Sequence, residues 1–185
     1  MKPPIRTPGP RIGLVYGSST CYTEIAAERI AAALTDHSVT LLDLATTDLR
    51  VADDYPLLIL GIPTWDYGEL QEDWERAWPR LGDVHWATKT VALFGLGDQE
   101  GYPEWFQDAL GYLAREVVSR GAHLVGRWPT AGYRFARSQA LTADGHCFVG
   151  LALDEVSDFD RSEERIRRWA AQITGEFATC RNPGS

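Results

Sequence analysis

Short apolar runs alternate along this chain with stretches whose apolar residues recur at helical spacing. Runs at 12–15, 39–44, 57–60, 90–94 and 123–125 predict five strands, and the third and fourth are apolar almost without a break. Such runs suit parallel strands whose two faces are both covered by helices. Ala26, Ile30, Ala33 and Leu34 share one face of a first helix that ends near Leu34. Leu70, Trp74, Ala77, Trp78 and Leu81 predict a second. Phe106, Ala109, Leu110, Leu113 and Val117 mark a third, with Pro103 at its first helical position and Gly121 as its C-cap. A fourth is predicted over 161–174, opened by Asp160 and Glu163 as a capping-box pair, with Ile166, Trp169, Ala170 and Ile173 inward.

This order predicts an α/β fold: a three-layer, doubly wound, five-stranded parallel sheet of order 2-1-3-4-5 with right-handed crossovers. One segment breaks the alternation. Residues 126–147 are rich in Gly, Thr, Arg and aromatics, and a further strand-like run follows at 147–153. Either a sixth strand exists, or the fifth is split by an insertion of roughly 20 residues, a length that usually has a function. The expected organisation is a flexible, proline-rich arm over 1–10, one domain over 11–177 and a flexible tail over 178–185.

Composition narrows the function. With 26 acidic against 18 basic residues in 185, the net charge of −8 argues against a nucleic-acid or anionic-membrane partner. Cys21, Cys147 and Cys180 form no CxxC pair, which fits free thiols in a reducing cytoplasm. No apolar run reaches membrane-spanning length, and the four histidines lack metal spacing.

Candidate chemistry begins at Tyr16-Gly17-Ser18-Ser19-Thr20-Cys21-Tyr22-Thr23, between the first strand and the first helix. A strand, a hydroxyl-rich turn and a helix N-terminus make an anion site from free N–H groups, the helix dipole and the hydroxyls of Ser18, Ser19, Thr20 and Thr23. No Lys or Arg lies between Ile12 and Glu28, so neutral dipoles would hold the anion. In the predicted strand order the loops after strands one, three and four converge at the carboxyl edge, where ligands of such sheets sit. The second loop runs from Gly61 through Pro63, Thr64, Trp65, Asp66, Tyr67 and Gly68 to Glu69; the third contains Gly95, Leu96, Gly97, Asp98, Gln99, Glu100, Gly101 and Tyr102. A hydroxyl-rich turn alone is often only a helix cap, and Trp65 or Tyr102 alone could be packing aromatics. Their convergence points to a planar aromatic ligand with a phosphate, and FMN sandwiched between Trp65 and Tyr102 suits all three loops.

The three loops, SSTCYT, PTWDYGELQEDW and GLGDQEGYPEWFQDALG, resemble the FMN-binding loops of bacterial flavodoxins in order and spacing. The split fifth strand resembles the long-chain subgroup, and the Cys21-Tyr22 pair the B-type branch of enterobacteria and their relatives. The resemblance covers roughly residues 11–175. It implies bound FMN, one-electron transfer and no substrate chemistry of its own. By position it implies phosphate contacts from Ser18, Ser19, Thr20, Cys21, Tyr22 and Thr23, and a contact from Thr64, with Pro63, Asp66 and Tyr67 in the same loop. It further implies ring stacking by Trp65 and Tyr102, and a Gly68 peptide that answers flavin N5. Edge contacts would come from the backbone of Leu96, Gly97 and Asp98, the Asp98 side chain and Gln107. The implied partners are basic-faced redox proteins, a flavodoxin or ferredoxin NADP reductase and electron-accepting enzymes, met transiently and salt-sensitively by a monomer.

A one-electron carrier must make its two reduction steps unequal. Between Asp66 and Asp108 ten carboxylates face Arg76, Arg80 and Lys89, a net −7. Placed about 12 Å from the ring at an effective dielectric near 40, seven charges would cost about 5 kcal/mol, on the order of 200 mV, before salt screening. That predicts a low-potential donor. Rival readings fail on residues: a tyrosine phosphatase would need Arg at Ala27, the GK[ST] of a P-loop is absent, and no phosphoacceptor Asp stands at Gly61-Ile62-Pro63. An FMN-dependent NAD(P)H:quinone reductase is the alternative enzyme, and an apo interaction module would require that FMN not bind.

Overall fold

The structure, a computed structural model, describes residues 10–181. The predicted arm over 1–10 therefore lies almost wholly outside the described residues. The strands are β1 (Arg11–Tyr16), β2 (Ser38–Asp43), β3 (Leu57–Trp65), β4 (Glu69–Leu70), β5 (Thr90–Leu96), β6 (His123–Val125), β7 (Trp128–Pro129), β8 (Cys147–Phe148) and β9 (Leu151–Leu153). The helices are α1 (Tyr22–Ala33), α2 (Glu72–Ala77), α3 (Asp108–Ser119) and α4 (Ser162–Arg181).

The main sheet is parallel in the order β2-β1-β3-β5-β6, with helices on both faces. Residues Leu57 to Pro63 of β3 and Val91 to Leu96 of β5 are buried throughout, as their unbroken apolar runs require. The α1 and α4 helices pack against each other over one face of the sheet. Among the described residues no helix is long and apolar enough to cross a membrane.

The fifth strand is split. Val125 of β6 pairs with Ala92 of β5, and two residues further along β5 the partner is Leu151 of β9, opposite Phe94. The chain between them carries the short antiparallel ribbon β7–β8, so the insertion alternative holds. The insertion contributes Tyr133 and Phe135 to an aromatic cluster with Phe106 and Phe148, whose rings pack within 6 Å of one another in adjacent pairs. Tyr133 donates to Ala152 O at 2.6 Å and accepts from Trp128 Nε1 at 2.9 Å, tying the insertion to β9.

Four boundary expectations need correction. The second helix stops at Ala77 and continues as a 3-10 turn over Trp78–Asp83, because Pro79 has no N–H for an α-helical bond. The third begins at Asp108 and not at Pro103, since residues 98–107 form turns that end in Gln107 at φ 64. At the fourth, a 3-10 turn over Phe159–Arg161 precedes α4 and Asp158, not Asp160, receives Arg161 and Arg165. Finally α4 runs to Arg181, past the predicted end at 174 and through part of the expected tail, because Phe177 is fully buried one turn after Ile173.

Candidate functional site

The loops after β1, β3 and β5 meet at the carboxyl edge of the sheet around a cleft of about 280 Å³. At one end lie Thr20, Tyr22 and Thr23. Cys21 is the N-cap of α1 at φ 64, and its side chain makes no capping bond, which leaves the first-turn N–H groups free for a ligand. Thr23 is buried, and the Ser18 hydroxyl is buried with no hydrogen-bond partner. A buried hydroxyl without a partner is costly, and a bound anion would relieve it. Ser19 Oγ accepts from Gln71 Nε2 at 3.0 Å, so its own proton is still available to a ligand. Gln71 also caps α2 by accepting from Asp73 N and Trp74 N, which fastens this loop to the next one.

The second wall is Pro63, Thr64, Trp65 and Asp66. Here β3 runs on past its buried core and turns back into β4, with Trp65 opposite Glu69 and Gly68 N donating to Trp65 O at 3.0 Å. Asp66 at φ 40 and Gly68 at φ 92 make this turn, and the second of these favours glycine. The Thr64 hydroxyl accepts from Ala109 N at 3.2 Å, so that side chain serves the start of α3 while the residue lines the cleft.

Leu96, Gly97, Asp98, Tyr102, Trp105 and Phe106 form the third wall. Asp98 accepts from Gly101 N at 2.8 Å, Glu100 N at 3.1 Å and Ser157 Oγ at 2.7 Å. Burial pushes its carboxyl up, but these bonds prevail and hold it below its ordinary value, so the cleft keeps an anion at its rim. Tyr102, 39 % exposed, and Trp105 both stand edge-on to Tyr67, with centroids 6.3 and 5.1 Å away.

Of the expected residues, Ser18, Ser19, Cys21, Tyr67 and Gly68 flank the cleft without lining it. Gln107 is the clear exception. It is fully buried and outside the cleft lining; its Nε2 donates to Leu153 O at 2.9 Å, which fixes the third loop to β9, while its Oε1 is buried without a hydrogen-bond partner. Four lining residues were not foreseen: Trp105, Phe106, Glu155 and Val156. The last two come from the loop after β9. The pairing of Leu96 with Leu153 brings that loop beside the third, and Asp154 locks it there by accepting from Gln99 N at 3.0 Å. Nothing in local sequence spacing marks that contact. Among the described residues no group of acidic, His or Cys side chains could hold a metal.

The cleft therefore joins an anion site of neutral donors to an aromatic-walled slot, and suits a ligand with one anionic and one planar end. The family model described as "Flavodoxin" matches residues 14–169. Over 167 residues the chain is 53 % identical to Flavodoxin 2 of Escherichia coli K12 and of Salmonella typhi, covering 90 % of this chain and 96 % of each relative. Among solved structures, the Fusobacterium nucleatum flavodoxin bound to flavin mononucleotide superposes with a TM-score of 0.84 at 28 % identity, covering 91 % of this chain and 99 % of that one.

Proposed function

This chain belongs to the flavodoxin family, and from that premise we propose that it carries single electrons on a non-covalently held FMN in the cytoplasm. It is an electron-transfer protein and not an enzyme. The observation that supports the cofactor most is the unpartnered Ser18 hydroxyl beside the open N-terminus of α1, at one end of an aromatic-walled cleft. FMN fits those residues, having a phosphate for the first and a flat ring for the second.

In this reading Ser18, Ser19, Thr20, Cys21, Tyr22 and Thr23 hold the phosphate with hydroxyls and backbone N–H groups. Trp65 and Tyr102 flank the ring and keep water from its faces, and Trp105 and Phe106 close the inner end of the slot. Pro63, Thr64, Leu96 and Gly97 shape its floor, while the Asp66-Tyr67-Gly68 turn presents peptide groups, Gly68 among them, to flavin N5. When bound, FMN supplies a ring that accepts and releases electrons singly.

The charge around the cleft sets the proposed low potential. Three of the acids counted along 66–108 are neutralised: Asp73 by Arg76, Asp83 by Arg80 at 3.4 Å and Glu104 by Arg137 at 3.3 Å. Asp66, Glu69, Asp98 and Glu100, with no ion-pair partner among the described residues, stand on the flanking loops. Four charges contribute about 3 kcal/mol, on the order of 100 mV, which halves the estimate made from sequence. The same rim would steer a basic-faced reductase and acceptor enzymes into brief, salt-sensitive contacts with a monomer, with the insertion as part of the contact surface.

Adding FMN to the flavin-free protein, followed by NADPH, tests this reading. One FMN per chain and no NADPH consumption without a separate reductase are expected. Unaided NADPH oxidation would favour the quinone-reductase alternative, and failure to take up FMN would overturn the site.

A further inference from the structure

The insertion grips the third loop and α3 at several points. Ala136 N and Arg137 N both donate to Pro103 O, at 2.9 and 3.0 Å, and Arg134 N donates to Gln99 Oε1 at 2.6 Å. The tightest grip is on α3. Gln139 N donates to Asp108 Oδ1 at 2.7 Å, and Arg115 Nη1 donates to Gln139 O at 3.2 Å. Gly111 lies between these two side chains on the helix face, and a Cβ there would collide with the Gln139 backbone. One peptide of the insertion is thus clamped by residues spaced along one face of α3.

The second oxygen of Asp108 faces the other way. It stands where a Cβ on Gly68 would be 3.0 Å from it, so the carboxylate packs against the Asp66-Tyr67-Gly68 turn, beside Trp105. Asp108 is 4 % exposed and does not line the cleft. It joins the insertion on one side to the turn beside the ligand slot on the other. The charged group that acts on it is Arg115 on its own helix; Asp66 and Glu69 flank Gly68 along the chain, and on the insertion Arg137, two residues before Gln139, is paired with Glu104.

We propose that Asp108 is a positioning residue that braces the Gly68 turn against the insertion, so that its ionisation sets the one-electron potentials of the site. The proposal rests on the FMN reading above. An ionised carboxylate favours peptide N–H groups on its side of the turn and disfavours carbonyls. A protonated one offers an O–H that a carbonyl can accept. Proton uptake at Asp108 therefore changes which peptide groups the turn presents to the ring. Burial pushes this carboxyl above its ordinary value, against the opposing Gln139 N–H and the Arg115 charge.

The test compares wild type, Asp108→Asn and Arg115→Met over about pH 5 to about pH 8. With FMN bound, Asp108→Asn is expected to raise the more negative potential, because one anion is gone, and to flatten its pH profile. Arg115→Met should move the inflection of the wild-type profile to higher pH, since the cation that lowers the carboxyl has been removed. A flavin-free arm follows thermal unfolding. A raised carboxyl contributes stability below its unfolded value, and that contribution is lost as pH rises through the folded value. Asp108→Asn should therefore match wild type at the acid end and unfold at a higher temperature at neutral pH. If wild type binds FMN with two separate potentials and Asp108→Asn reproduces them at every pH, the proposal falls while the FMN reading stands. If wild type takes up no FMN, both fall.

Discussion

Riboflavin, which lacks only the phosphate of FMN, is expected to bind this protein at least about a thousandfold more weakly. The anion end of the cleft supplies the Ser18, Thr20 and Thr23 hydroxyls and the open first turn of α1. A hydrogen bond to a charged group contributes about 1.5–3 kcal/mol net, and at about 2 kcal/mol each two or three of them total about 4–6 kcal/mol, or three to four powers of ten. The absence of any Lys or Arg between Ile12 and Glu28 adds a second expectation. Salt would normally weaken phosphate binding by screening a cation, whereas here it should leave FMN affinity unchanged or raise it by screening the net −8 of the chain. Flavin fluorescence quenching measures both. Riboflavin within tenfold of FMN would mean that the loop does not hold a phosphate.

Trp74→Ala is expected to destabilise the fold by roughly 3–5 kcal/mol, a large share of the stability of a domain this size. Trp74 is fully buried, its Nε1 donates to Gly61 O at 2.8 Å, and its ring lies against Gly17. It thus supports the ends of β1 and β3 together, where two walls of the cleft begin. Alanine leaves a cavity and removes the shorter of two hydrogen bonds to the Gly61 carbonyl, whose other donor is Gly17 N at 3.4 Å, and the midpoint of thermal unfolding should fall by about 10 °C or more. FMN affinity should drop as well. Trp74→Phe, which keeps most of the packing and loses the hydrogen bond, should fall between the two. The half-buried Trp78 is the control, where alanine should cost far less. A change of a degree or two at Trp74 would show that the two loops do not lean on this ring.

Much of this architecture is legible in the residues. Parallel strands buried on both faces leave unbroken apolar runs, so β3 and β5 stand out from the sequence itself. Helix ends are harder, because periodicity persists where hydrogen bonding does not. Trp78 and Leu81 keep helical spacing across Pro79 although the α-helix has stopped. Phe177 continues α4 through Gly175, which looks like a stop signal. The three loops were identifiable because their hydroxyls, aromatics and glycines suit no ordinary connection. Trp105 and Phe106 were hidden inside an apparent helix stripe, which the left-handed Gln107 interrupts. Glu155 and Val156 reach the cleft only through the register of β9 on β5, a long-range pairing that local patterning does not encode.

The most direct test of the account is an anaerobic reductive titration of the FMN-loaded protein against reference dyes. Two separate one-electron potentials are expected, the second more negative than that of free FMN by on the order of 100 mV, from the unpaired acids around the cleft. A single two-electron step at the potential of free FMN would contradict the reading of this protein as a one-electron carrier.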